Sequence, residues 1–155
     1  MSISSATIAT LHNAIADVIE AALAQTSIGP IIVYADRRPS ADLPFATVNL
    51  TSTRRNAPDL GSARRESELG KVDLFTSWRV SVSIQHDEPG AAASAEDEIV
   101  ARLIACFDDD ETLGGTVRSC AAALVETDLV DRAANADDHR KLLRIDATVD
   151  TYSLH

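Results

Sequence analysis

Hydrophobic positions along this chain follow two periods, and the switches between them mark out the elements. Ile8, Leu11, Ile15, Val18, Ile19, Ala22 and Leu23 recur every three or four residues, the spacing of one face of an α-helix. Ser4 or Ser5 can cap that helix, because a serine oxygen there accepts an otherwise unpaired amide of the first turn. Gly29-Pro30 closes the connection that follows, since neither residue favours helix continuation. Ile31, Ile32, Val33 and Tyr34 then read as a short buried strand, and Asp36-Arg37-Arg38-Pro39-Ser40 as a loop. From Phe45 to Ser52 the period is two, with Val48 and Leu50 on one side and Thr47, Asn49 and Thr51 on the other.

From Thr53 to Gly70 periodicity stops. This stretch holds Pro58, Gly61, Gly70 and two arginine pairs, Arg54-Arg55 and Arg64-Arg65, and reads as a long loop or an extended hairpin tip. Alternation returns in a long strand, where Trp78, Val80, Val82 and Ile84 share one side and Ser81, Ser83 and Gln85 the other. Such alternation means one packed face and one wet or shared face, the habit of antiparallel sheets. After Asp87-Glu88-Pro89-Gly90 comes a second amphipathic helix, predicted to bury Ala92, Ala95, Ile99, Val100, Leu103, Ile104 and Phe107. Glu98 and Arg102 are spaced to pair on its exposed side. Asp108 to Glu111 and Gly114-Gly115 form a polar connection. Val117, Cys120, Ala121, Leu124 and Val125 fit a helix, whereas Leu124 to Val130 fits a strand; a short turn leading to a strand is preferred. Ala133 to Arg140 is a polar tip, and in the last strand Leu143, Ile145, Ala147 and Val149 alternate with Arg144, Asp146, Thr148 and Asp150.

The predicted fold class is α+β: an antiparallel or mixed β-sheet, two main helices packed on one face, and a long loop or hairpin at 53–70. At 155 residues the chain suits one domain, 1–155. A chain of this length buries about 70% of its unfolded surface and needs no disulfide or metal staple. Cys106 and Cys120 are too few for a disulfide framework and are expected to be buried free thiols. No stretch approaches the roughly 18 apolar residues that span a bilayer, so a soluble, cytoplasmically made protein is expected.

The formal charge is −10. It argues against free-standing nucleic-acid binding, which calls for a basic field. The charge is also uneven: residues 53–71 carry five positive and three negative side chains, a local +2 against −12 elsewhere. Such a segment is either a solvated loop or a basic arm that docks on an acidic neighbouring copy or touches a DNA backbone. Arg54, Arg55, Arg64 and Arg65 are therefore the candidate interface residues.

No chemistry-bearing motif stands beside them. His86-Asp87-Glu88 leaves a strand and enters a helix, where acidic residues complement the positive helix end, and no second histidine is spaced to share a metal. Asp108 to Glu111 lacks the alternating ligands of a calcium loop. Asp137-Asp138-His139 reads as a turn. There is no nucleophile elbow, no HExxH and no phosphate-cradling glycine loop. No catalytic, metal-binding or cofactor-binding residue is assigned.

The layout resembles the tail terminator (neck terminator, tail completion) proteins of long-tailed bacteriophages. The matching features are the amphipathic first helix, Ile31-Ile32-Val33-Tyr34, the strand start Leu43-Pro44-Phe45-Ala46-Thr47-Val48, and the long loop. Ser83-Ile84-Gln85-His86, the acidic Pro-Gly turn, the Ala-rich helix and a late strand pair ending in Leu142 to Tyr152 complete it. Head–tail joining and tail tube proteins share related layouts. The resemblance implies a structural virion protein, not an enzyme and without a cofactor. It would form a homo-oligomeric ring, a hexamer, that caps the tail tube and meets the head–tail connector. Its place would be the tail or neck of a virion assembled in the host bacterial cytoplasm. DNA would pass through without specific binding, between acidic walls. A small ligand-binding or enzymatic α+β domain is the reading from another class.

Overall fold

The computed structural model of the chain describes residues 4–35, 43–56, 71–86, 89–131 and 141–155. Two helices and five strands follow in the order α1 (Ser5–Leu23), β1 (Ile32–Tyr34), β2 (Phe45–Asn56), β3 (Asp73–His86), α2 (Pro89–Asp109), β4 (Ser119–Asp131) and β5 (Lys141–Leu154). The strands form one mixed sheet in the order β1-β2-β3-β5-β4. Only β1–β2 is parallel; the other three pairs are antiparallel. The architecture is the α+β class that the two periods predict.

The register sorts side chains cleanly between two faces. Val80, Val82 and Ile84 of β3 stand beside Ala147, Ile145 and Leu143 of β5, and Val80 and Val82 beside Val48 and Ala46 of β2. All of these are buried. Onto this face α1 lays Leu11, Ile15, Ile19 and Leu23, and α2 lays Ala95, Ile99, Leu103 and Phe107. Both stripes repeat every fourth residue, which keeps them on one side of a 3.6-residue helix. Ser4 caps α1, its side chain accepting from the Thr7 amide at 3.3 Å. Glu98 and Arg102 pair at 3.2 Å and also reach across to α1: Ser27 donates to the Glu98 carboxylate from its amide and hydroxyl, and Arg102 donates to the Ala22 carbonyl. A surface pair predicted from spacing is thus also the tie between the two helices.

Trp78 lies fully buried between α1 and the sheet. Its indole nitrogen donates to the Thr76 hydroxyl at 2.8 Å, and Thr76 in turn bonds Thr151 across the β3–β5 pair. His12 of α1 packs on the Trp78 ring at 4.9 Å between centroids and hydrogen-bonds the Val48 carbonyl at 2.7 Å.

The structure corrects two expectations, on Ile31 to Tyr34 and on Ile104, and of the two readings of the stretch from Thr53 it favours the hairpin over Thr53 to Asn56. The run Ile31 to Tyr34 is not a buried strand but the sheet's short outer strand: Ile31 is buried just before it, while Ile32 is 57% exposed. Among the described residues β1 pairs with β2 alone at the end of the sheet, where less of its faces is covered than in the central strands. The irregular stretch begins later than Thr53, because β2 runs on to Asn56 and pairs with β3 beyond a bulge between Leu50 and Ser52. The bulge resets the phase, which is why alternation is lost to the eye although the strand continues. On α2, Ile104 is exposed, since its position turns away from the stripe that ends in Phe107. Residues 57–70 link β2 to β3 and lie outside the described set, as do Asp87, Glu88 and residues 132–140.

Between α2 and β4 the chain reverses through Leu113, Gly114 and Gly115, all at positive φ. Two glycines take that conformation without side-chain strain. Leu113 takes it with its side chain buried, and the Asp110 carboxylate accepts the Gly114 amide at 2.9 Å. Asp108 and Asp109 thus end α2, Asp110, Glu111 and the glycine pair build the turn, and the strand that follows is β4.

Candidate assembly surface

The face of the sheet opposite the helices carries the candidate interface. Following the register, its positions are Arg54 beside Phe75 beside Tyr152 beside Ser119, then Ser52, Ser77, Asp150 and Ala121. Farther along come Thr47, Ser81, Asp146 and Glu126, and then Phe45, Ser83, Arg144 and Asp128; of these Thr47, Phe45 and Ser83 are buried, so the accessible part of the face is toward the Arg54 end and along β5 and β4. No described helix covers it, and its side chains are tied to one another across the strands. Ser77 and Ser81 donate to Asp150 and Asp146, each at 2.6 Å, and Arg144 pairs with Asp146 at 3.1 Å.

At the end of the sheet where β2 finishes and β4 starts, an aromatic cluster interrupts this polar surface. Phe75 stacks on Tyr152 with 5.0 Å between ring centroids, and the Arg54 guanidinium sits 4.5 Å above Phe75. Tyr152 donates from its hydroxyl to Asp73 at 2.8 Å. The cation–π and stacking contacts pre-order Arg54. Beside the cluster is a shallow, open depression of about 290 Å³, lined among others by Ser52, Arg54, Phe75, Ser77 and Asp150.

Of the four arginines singled out by sequence, Arg54 and Arg55 are exposed neighbours on β2 that point to opposite faces of the sheet. Arg64 and Arg65 lie outside the described residues. The Phe75–Tyr152 pair escaped the sequence reading. Its signal was an aromatic residue on the otherwise polar phase of each of two strands, but only the register shows that the two meet.

Both cysteines are free, and burial pushes each thiol up to about 12, so neither is a ready nucleophile at neutral pH. Among the described residues no group of three or more metal-ligating side chains comes together. No described helix is long and apolar enough to cross a membrane.

No protein-family model matches the sequence, and no curated protein matches it either. The fold does have likenesses among solved structures. One is a chain of the virion of a native gene transfer agent particle, at TM-score 0.53 and 14% identity over 98% of this chain and 100% of that one. Another is from an extracellular contractile injection system, in a structure of its sheath/tube terminator in the extended state. There the TM-score is 0.42 and the identity 14%, over 98% of this chain and 57% of the other. At 14% identity the likeness to the gene transfer agent chain is one of fold alone.

Proposed function

We propose that this chain is a structural subunit of a tailed, phage-like particle, and within that class a tail terminator: a protein that assembles into a ring, a hexamer, closing the tail tube beneath the head connector. The observation that carries the reading is the end-to-end fold likeness to a gene transfer agent virion chain, which spans nearly all of both proteins. Physical features point the same way. No described helix covers one sheet face, and serines on it are bonded to aspartates across the strands. An ordered arginine–aromatic cluster lies at one end of it, and arginine and tyrosine are residue types enriched where protein surfaces meet. No cofactor and no catalytic step belong to this role. Assembly would take place in the host cytoplasm, with the finished virion tail or neck as its location.

The reading is tested by the mass of the purified protein in light scattering and by negative-stain images. A ring of uniform mass with a central opening is expected, and it should bind isolated tail tubes at their head-proximal end. A protein that stays monomeric at every concentration overturns the reading. A ring that ignores tube ends but binds the connector would move it to a head–tail joining role in the same class.

A further inference from the structure

The sheet has two open edges, and they match each other. β4 is the outermost strand on one side and, among the described residues, has no strand on its outer edge. On the other side, β1 covers β2 only at Phe45, Ala46 and Thr47, and His12 engages the Val48 carbonyl. From Thr51 to Asn56 the outer edge of β2 meets no strand among the described residues, and every side chain from Thr51 to Arg55 is exposed. Such edges are templates for pairing with another chain, and proteins that avoid this place Lys or Pro there. β4 contains neither.

The register puts the two edges in correspondence. Counted across β3 and β5, Ser52 is level with Ala121 and Arg54 with Ser119, while Thr47 is level with Glu126 and Phe45 with Asp128. Of the segment of β4 without charge, Ser119 to Ala122 stands level with the open part of β2 and its bulge, and Leu124 and Val125 with Asn49 and Val48 before it. The charged segment from Glu126 onward stands level with the part that β1 already covers. Charge is absent from β4 over Ser119–Ala122, and the strand's bulge, between Ala122 and Leu124, lies just past that segment and ends it. The direction also fits: β2 and β4 run antiparallel, so a sideways repeat of the molecule sets β4 of one copy antiparallel to β2 of the next. Charge is mixed at this end: Arg54 and Arg55 border the open edge of β2, while β4 is entered through Asp110, Glu111 and the exposed Arg118, so geometry rather than charge carries the match. Matching patches at one level on opposite flanks are what a head-to-tail contact needs to close into a ring.

We infer that the partner of this surface is a second copy of the chain, with Ser119–Ala122 of one copy hydrogen-bonded as an antiparallel strand to Thr51–Arg54 of the next. The inference rests on the ring reading above and specifies its contact.

The test is disulfide trapping with Ser52→Cys and Ala121→Cys in one chain. Within a subunit the two positions are three strand spacings apart, about 14 Å, too far for a disulfide, whose Cα atoms lie within about 7 Å. Any bond between them is intermolecular. Mild oxidation should give a ladder of covalent oligomers up to the full ring. Each single variant should stop at dimers or below, and Ser52→Cys with Thr127→Cys, mismatched in level, should give no ladder. Independently, Ala121→Lys should lower the oligomer mass without changing the melting temperature. A protein that forms rings in light scattering but gives no Ser52–Ala121 ladder, or ladders through Thr127 instead, overturns the edge pairing and leaves the ring standing. Unchanged assembly of Ala121→Lys also overturns it. A wild type that is monomeric throughout overturns both.

Discussion

At the scale of single residues, stability rests on a few side chains that fill the space between helices and sheet. Leu103 is fully buried between α2 and the strands, whereas Asp97, two turns earlier on the same helix, is exposed. Leu103→Ala removes buried methyl groups and leaves a cavity, so it should cost about 2–5 kcal/mol in denaturant unfolding. Asp97→Ala should stay within about 0.5 kcal/mol. Equal losses would mean the helix phase is misassigned. Trp78 shows how the same space handles a polar atom: its N–H would be costly to bury alone, and Thr76 accepts it.

At the scale of elements, the two helices are joined by one carboxylate as well as by apolar contact. Hydrogen bonds from the Ser27 hydroxyl and amide, with a smaller contribution from Arg102, hold Glu98 below the usual glutamate range. A depressed folded pKa means that this contribution is present above the unfolded pKa and lost as pH falls through the folded one. The Ser27 amide resonance should therefore titrate with a midpoint below that of an ordinary glutamate. In Glu98→Gln that titration should vanish, and the Ser27 amide should exchange faster with solvent. A Ser27 amide indifferent to both acid and substitution would remove Glu98 from the tie between α1 and α2.

At the scale of the whole molecule, charge is divided between flanks. β2 carries Arg54 and Arg55 on one side of the sheet; on the other, Asp108 and Asp109 end α2 and Asp110 and Glu111 open the connection to β4, which also holds Arg118. Between copies the β2 arginines and these carboxylates would attract, with a reach screened to about 8–10 Å at 0.10–0.15 M salt. Replacing Arg54 and Arg55 with serine should leave the melting temperature near wild type, since neither side chain is buried. The oligomer mass should fall, and raising the salt should lower the wild-type mass in the same direction. Sedimentation of both proteins across a salt series measures this. Assembly that is the same for both at every salt would take the two arginines out of the contact.

Period and composition were enough to determine the elements. Helical spacing at Leu11, Ile15, Ile19 and Leu23 and alternation at Val80, Val82 and Ile84 are local consequences of having one buried face, so they are written in the chain itself. The turn at Gly114-Gly115 and the pair Glu98–Arg102 were legible for the same reason: each depends on residues a few positions apart. What depends on distant residues was not. The order β1-β2-β3-β5-β4 made Ile32 an outer-strand residue, although its sequence neighbours are those of a core strand. The bulge after Leu50 carried β2 past the point where alternation stops. The stack of Phe75 on Tyr152 beneath Arg54, and the level match between the open edges of β2 and β4, exist only once four strands are in register. Register is fixed by which faces can be buried together, a property of the assembled sheet and of no single segment.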